Sequence, residues 1–266
     1  MGYDVCRVAD VGGNRVPYHE TGTGEPLLLH HGAESHRGQY AIFAPLLRSG
    51  IRAISYDQRD VGDAEYVDAD YTMQDLADDC VGLMDALDIE KAHIMGVSFG
   101  GAIALYVAAR HPDRVRSLVV GATPDSFARP TAYLTKMMAS APEERAALMR
   151  NASLSPEAQR DEWLLARLAD LGRGTVTALG SRRRAVLEDY DVRGQLSQIT
   201  APTLLVYGEL DPLAPPEVGE DLHARLTSSE LVVLEGARHG LSFEFREQTA
   251  ALVNDWVSRH EIGPVA

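Results

Sequence analysis

The chain has 266 residues, of which 45% are hydrophobic, and its 25 basic and 39 acidic side chains give a formal net charge of −14. This composition is typical of a soluble globular protein and excludes a collagen and an intrinsically disordered chain. The negative charge opposes binding to nucleic acid or to anionic lipid, because both depend on Lys and Arg placed beside phosphates. We therefore expect neither as a partner.

The two cysteines, Cys6 and Cys80, are too few for a disulfide framework and have no Cys-x-x-Cys spacing for zinc. The first residues lack the apolar region of a secretory signal. No run of about 18 apolar residues follows, so no membrane span is expected. Together these features predict a protein of the reducing cytoplasm.

Short segments rich in Val, Ile and Leu alternate with longer amphipathic stretches, the order typical of a mostly parallel sheet with helices on both faces. Eight strands are predicted in one α/β sheet, over residues 4–9, 15–21, 26–31, 51–56, 92–97, 115–121, 203–208 and 230–235. Gly12-Gly13-Asn14 separates the first two and predicts a hairpin, so the sheet should begin antiparallel.

The alternation stops between residues 126 and 195, where signals for helices follow one another closely. Four helices are predicted there: over 130–140, from Pro142, from Ser155 to about Gly172, and over 175–189. Ser155-Pro156-Glu157, for example, combines an N-cap, a first-turn proline and an acid. We predict a helical cap over 126–195, inserted between strands 6 and 7 of a core formed by 1–125 and 196–266.

The strongest motif is Gly96-Val-Ser98-Phe-Gly100, which joins a predicted strand directly to a predicted helix. A G-x-S-x-G turn of this kind is sharp and strained, and it needs glycines because side chains beside the serine would clash. The turn places the serine hydroxyl above the carboxyl edge of the sheet, next to the positive end of a helix. We predict Ser98 as a catalytic nucleophile.

A serine nucleophile requires a histidine base and an acid that orients the histidine. Asp211 comes just after the strand at 203–208, and His239 comes just after the strand at 230–235. Parallel strands bring residues at their carboxyl ends to one edge of the sheet, where Ser98 also lies. The order Ser98, Asp211, His239 is that of the triad in α/β-hydrolases.

From Val16 to about Trp256 the sequence resembles the α/β-hydrolase superfamily, in particular its capped serine esterase and lactonase branch. The motifs that carry this resemblance are His31-Gly32, the turn at Ser98, His111-Pro-Asp-Arg-Val115, Tyr207-Gly-Glu-Leu-Asp211 and Gly236-Ala-Arg-His239. The resemblance implies Ser98 as nucleophile, His239 as base and Asp211 as its partner. The oxyanion hole should use the backbone N–H of Phe99 and one from the loop after strand 3, which by similarity is that of Ala33.

Several alternatives stay open at this point. Asp125 follows strand 6 and is a rival for the catalytic acid, although Asp211 is preferred. His31 either faces the pocket or orders its own loop, and the second is favoured. Asp60 and Ala64 stand where many relatives have glycine and serine, so the loop after strand 4 could be held differently.

Side chains of the predicted cap are candidates for the pocket wall, although packing inside the cap is the more common role for such residues. These candidates are Tyr133, Met137, Met138, Trp163 and Leu164. The run Arg182-Arg183-Arg184 could meet an anionic substrate, but for at least two of the three a solvated helix face is favoured.

The sequence thus predicts a serine hydrolase that cleaves a carboxylic ester or lactone of modest size without a cofactor or metal ion. The nearest alternative is a carbon–carbon bond hydrolase of aromatic degradation on the same fold, and a perhydrolase or haloperoxidase side activity also stays open. A slow-turnover receptor for a small molecule is the alternative outside catalysis. The expected partner is a small-molecule substrate, and a homo-oligomer is possible on the sequence alone.

Overall fold

The computed structural model describes residues 6–66, 68–172 and 181–261. All eight predicted strands are present in one sheet. They are β1 Cys6–Val11, β2 Asn14–Thr21, β3 Gly24–His30, β4 Gly50–Tyr56, β5 Ala92–Val97, β6 Val115–Gly121, β7 Thr203–Gly208 and β8 Ser229–Leu234. Each predicted strand end falls within two residues of the observed one, although predicted positions 4 and 5 lie outside the described residues.

The strands lie in the order β1-β2-β4-β3-β5-β6-β7-β8. The β1–β2 hairpin and the β2–β4 pair are antiparallel, and every other neighbouring pair is parallel. Gly12 and Gly13 form the hairpin turn with φ of 60° and 87°, values that glycine adopts without strain. The predicted change from antiparallel to parallel pairing is confirmed, and β3 to β8 direct their carboxyl ends to one edge.

Four helices pack on the sheet, namely α1 Met73–Ala86, α2 Phe99–Arg110, α7 Pro216–His223 and α8 Arg246–Arg259. Strands β5 and β7 are buried at every position, because helices cover both faces of the sheet. Helix α2 is buried from Phe99 to Ala109. The central strands and α2 therefore form a rigid support for whatever lies at the carboxyl edge.

Between β6 and β7, where the sequence predicts a cap, the described residues form four further helices: α3 Ala132–Ala139, α4 Pro142–Ser153, α5 Glu162–Gly172 and α6 Ser181–Glu188. We call residues 126–195 the insertion. Its division from the core as a separate unit stays a prediction, and residues 175–180 of the fourth predicted helix lie outside the described residues.

The predicted start of the third inserted helix is wrong. Ser155 does cap a turn, since its hydroxyl accepts from Ala158 N at 3.1 Å, but only a short 3-10 segment follows. Helix α5 begins at Glu162, where Asp161 Oδ1 accepts from Leu164 N at 3.0 Å. A second capping side chain six residues downstream therefore restarts the helix.

Of the helices in the part of the chain that the structure describes, none combines the length and the hydrophobicity required to cross a bilayer.

Candidate active site

Ser98 occupies a strained turn between β5 and α2, with φ 59° and ψ −126°. Gly96 and Gly100 flank it because there is no room for a side chain at either position. A Cβ on Gly96 would lie 2.0 Å from the carbonyl oxygen of Gly100, and a Cβ on Gly100 would lie 2.0 Å from that of His30. The glycines of the motif thus allow the backbone to pass closely enough for the turn to form.

Hydrogen bonds hold the backbone of Ser98 on both sides. Its N–H donates to Gly121 O of β6 at 2.9 Å, and its carbonyl accepts from Gly101 N at 2.8 Å. The Thr123 hydroxyl lies 2.8 Å from the same carbonyl. These contacts fix the serine at the N-terminus of α2, where the free N–H groups of the helix create a positive potential.

His239 and Asp211 form a buried pair at the same edge of the sheet. His239 Nδ1 lies 2.7 Å from Asp211 Oδ2, and the two residues are 8% and 2% exposed. The other carboxylate oxygen, Oδ1, accepts from the N–H groups of Leu213 and Ala214 at 2.8 and 3.1 Å. A carboxylate held in this way keeps a proton on Nδ1 of the histidine and leaves Nε2 free to act as a base.

The insertion contributes to this pair by holding the loop that carries His239. The N–H groups of His239 and Gly240 donate to the carbonyls of Ala152 and Ser153 at 3.0 and 3.1 Å. A Cβ on Gly240 would lie 2.4 Å from Ser153 O, so the approach requires glycine. The C-terminal end of α4 therefore helps to fix the position of the histidine.

Ser98 and His239 both line two adjoining pockets. The first is mainly apolar, and its wall from the insertion consists of Phe127, Leu134, Met137, Met138, Arg145, Met149 and Leu187. The second contains more polar side chains, among them Ser35, Gln39, Ser153 and Ser242. Because Ala33, Glu34 and Met149 border both pockets, the serine and the histidine lie where the two spaces meet.

The predicted wall residues divide into two groups. Met137 and Met138 do line the apolar pocket. Tyr133 donates to Leu148 O within the insertion, Leu164 is buried in a small cluster with Leu154, and Trp163 is 48% exposed. Two of the five candidates therefore face the pocket, and the others pack within the insertion or face solvent.

Asp125, the rival acid, is engaged elsewhere, since its carboxylate pairs with Arg225 NH1 at 2.5 Å. His31 is fully buried and lies beside its own loop, with Nδ1 2.8 Å from Gly32 O and Nε2 3.4 Å from Gln58 N. Burial holds the pKa of His31 well below its usual value of 6.5, so the ring is neutral. None of these described contacts involves Ser98 or His239, and the choice of the catalytic acid stays a prediction.

The loop after β4 is tied to α6 by two successive arginines, Arg182 and Arg183. Arg182 pairs with Asp60, whose carboxylate oxygens lie 2.7 and 3.1 Å from the guanidinium. Asp60 has φ 64°, which is why glycine is the usual residue there. The aspartate that departs from the common family pattern thus has a partner in the insertion.

Arg183 is 1% exposed, and its guanidinium contacts the carbonyl oxygens of Gly32 and Ala33. Sequence reasoning missed this location. Three consecutive arginines on a helix point in different directions, and no local pattern marks which of them is buried.

A mostly parallel sheet with a serine on a strained strand-to-helix turn, and a histidine–aspartate pair at the same edge, defines the α/β-hydrolase class of fold. Residues 25–245 match the family described as alpha/beta hydrolase fold. The chain belongs to this family.

Relatives with known names are hydrolases. Pimeloyl-[acyl-carrier protein] methyl ester esterase of Neisseria meningitidis serogroup B (strain MC58) is 36% identical over 247 residues, which cover 86% of this chain and 91% of the esterase. A 2-hydroxymuconate semialdehyde hydrolase of Pseudomonas sp. (strain CF600) is 39% identical over 121 residues, 44% of this chain and 43% of that enzyme. The crystal structure of a hydrolase from Pseudomonas aeruginosa PA01 superposes with a TM-score of 0.83 at 25% identity, covering 96% of this chain and 98% of that one. The chain is therefore a hydrolase.

Proposed function

We propose that the protein is a serine hydrolase that cleaves a carboxylic ester or lactone through Ser98, His239 and Asp211. The observation that carries the proposal is the buried His239–Asp211 pair at 2.7 Å, whose histidine lines a pocket that Ser98 also lines. The esterase of Neisseria meningitidis supports ester hydrolysis, because it is similar along most of both chains.

In the proposed reaction the Ser98 oxygen attacks the carbonyl carbon while His239 Nε2 takes the hydroxyl proton. The N–H groups of Phe99 and Ala33 stabilise the negative oxygen of the tetrahedral intermediate. When this intermediate collapses, the bond to the leaving alcohol breaks and the alcohol receives the proton from His239. An acyl group remains bound to Ser98. Water that His239 deprotonates then attacks the acyl carbon, and the acid departs as Ser98 regains its proton.

The experiment that tests this proposal measures covalent labelling by a fluorophosphonate probe with intact-mass analysis. We expect one adduct on the wild-type protein and none on Ser98→Ala or His239→Ala, because the probe requires a serine activated by a base. Ser242→Ala is the matched control, since Ser242 lines the second pocket and lies outside the proposed triad. Labelling and ester hydrolysis that persist in Ser98→Ala would refute the proposal.

The carbon–carbon bond hydrolase is the second candidate, and the partial similarity to 2-hydroxymuconate semialdehyde hydrolase favours it. A comparison of turnover of simple esters with turnover of vinylogous diketones distinguishes the two activities, with Ser98→Ala as the blank for each substrate. Faster turnover of the diketones, expressed as kcat/KM, would favour the carbon–carbon bond hydrolase over the ester hydrolase.

We further propose that the enzyme works in the cytoplasm on a small molecule and needs no cofactor, because the nucleophile, base and oxyanion donors are all supplied by the chain. Dialysis against EDTA is therefore expected to leave ester hydrolysis unchanged. A loss of activity that added divalent metal restores would contradict this part of the proposal.

A further inference from the structure

Arg183 extends from α6 of the insertion to the loop after β3. Its Nε donates to Ala33 O at 2.8 Å, and one terminal nitrogen lies 3.4 Å from Gly32 O. The guanidinium also donates to Gln58 Oε1 at 2.5 Å and to Arg59 O at 3.2 Å. One side chain of the insertion thus connects two loops at the carboxyl edge of the sheet.

The contacts to Gly32 and Ala33 involve both peptide planes that flank the Ala33 α-carbon. The carbonyl of Gly32 belongs to the same planar peptide unit as the N–H of Ala33, the second donor of the proposed oxyanion hole. A donor that holds this carbonyl therefore also sets the direction of the N–H. Hydrogen bonds to a carbonyl polarise its peptide unit as well, which strengthens the N–H as a donor.

The same guanidinium contacts the residue that supplies the first donor. The Arg183 guanidinium carbon lies 4.3 Å from the centroid of the Phe99 ring, and both residues are 1% exposed. Stacking of a guanidinium on an aromatic face is attractive, and more so away from water. Arg183 thus touches both residues whose backbone N–H groups would bind the oxyanion.

The hydrogen bonds described for this guanidinium all end on neutral oxygen atoms, and the Asp60 carboxylate acts on it through space. Asp60, the nearby acid, pairs instead with Arg182. Burial lowers the pKa of Arg183 to about 10, and the side chain remains protonated at neutral pH. A buried cation on neutral partners is costly for folding, and it adds positive potential where negative charge would develop.

We propose that Arg183 is a positioning residue for the oxyanion hole. Its side chain holds the N–H groups of Ala33 and Phe99 in the orientation that the tetrahedral intermediate requires. This inference rests on the proposed function. It makes the insertion part of the catalytic apparatus, in addition to forming a wall of the pocket.

The test compares Arg183→Met and Arg183→Lys with the matched control Arg182→Met. The control removes the ion pair between the same helix and Asp60, and it leaves the contacts to Gly32 and Ala33 intact. For Arg183→Met we expect kcat on the best ester to fall about 100-fold, the usual effect of a misplaced oxyanion donor. KM should change by less than about 3-fold, because the interaction matters in the transition state and hardly in the bound substrate.

Two further readouts separate positioning from general stability. The affinity for a boronic acid, which forms a tetrahedral adduct with the serine, should weaken in parallel with kcat/KM in Arg183→Met. Arg183→Lys keeps the charge but lacks the planar fork, and we expect it to recover only part of kcat. Arg182→Met should retain kcat within about 3-fold of wild type even if its melting temperature falls.

The inference is overturned if folded Arg183→Met keeps wild-type kcat and boronic acid affinity, or if Arg182→Met loses as much kcat as Arg183→Met does. If Arg183→Met does not fold, wild-type kcat in Arg183→Lys overturns it equally. The rate of fluorophosphonate labelling provides the same comparison without an ester, because the phosphoryl oxygen occupies the oxyanion hole. Absence of ester turnover with normal labelling would therefore count against the proposed function and leave the test of Arg183 decisive.

Discussion

Asp211 and Asp125 follow neighbouring strands of the sheet, and their individual contacts differ. Asp211 accepts from His239 and from two backbone N–H groups, whereas Asp125 pairs with Arg225 on the protein surface. Both acids stand just past a strand in the sequence, which is why the sequence alone leaves the choice between them open. The difference arises from side-chain direction and from partners distant in the chain.

Replacement of each acid by asparagine tests this distinction. Asp211→Asn should lower kcat/KM for ester hydrolysis by about 10³-fold to 10⁴-fold, because an amide facing Nδ1 favours the wrong imidazole tautomer. Asp125→Asn is the matched control and should stay within about 3-fold of wild type, since it loses only a partly exposed ion pair. Equal losses in both variants, or a larger loss in Asp125→Asn, measured by steady-state kinetics, would contradict the assignment.

At the scale of elements, the joint between β5 and α2 determines whether Ser98 can occupy its strained conformation. The close approach of Gly100 to His30 O brings β3 against the start of α2, so the turn depends on a neighbouring strand as well as on its own residues. The sequence motif contains the glycines that this contact requires, which explains why the turn at Ser98 could be predicted from five residues.

Gly100→Ala tests the joint. Its Cβ would lie 2.0 Å from a backbone oxygen, so we expect a loss of about 3 kcal/mol or more in the free energy of unfolding, with slower fluorophosphonate labelling. Gly194→Ala is the control, because a Cβ there meets nothing within 4 Å. It should stay within about 0.5 kcal/mol of wild type in urea denaturation. A Gly100→Ala protein as stable as the control would show that the joint tolerates a side chain.

For the whole molecule, buried neutral histidines connect stability to pH. Burial lowers the pKa of His30 to about 3 and that of His93 to about 4, from an ordinary value of 6.5. Below about pH 6.5 the unfolded chain binds protons at these positions that the folded protein does not bind. The free energy of unfolding should therefore decrease as pH falls, by about 1.4 kcal/mol per pH unit for each histidine. The decrease should end near pH 4 for His93 and near pH 3 for His30.

His30→Gln separates one histidine from the rest, because glutamine does not titrate. Urea denaturation between about pH 6 and pH 4 measures the slope of the free energy of unfolding against pH. In this variant the slope should be smaller than in wild type by the equivalent of about one proton. Gly194→Ala is the control and should keep the wild-type slope, because it removes no titratable group. An unchanged slope in His30→Gln would show that the histidine takes up a proton without unfolding.

The sequence by itself determined the sheet, the turn at Ser98 and the order of the proposed triad. Strands buried on both faces appear as short apolar runs, and parallel strands bring their carboxyl ends together, so Asp211 and His239 could be placed at one edge before any coordinates. The start of α5 was not predictable to the same degree, because Ser155 and Asp161 both offer capping side chains and packing decides between them.

Only the tertiary structure decided what the insertion contributes to the site. Arg183 lies 150 positions from Ala33 in the chain, and its contact depends on how α6 packs over the loops after β3 and β4. The pairing of Asp60 with Arg182, 122 positions apart, depends on the same packing. Such contacts leave no periodic signal, because hydrophobic periodicity reports which face of an element is buried and not which polar side chains meet across two elements.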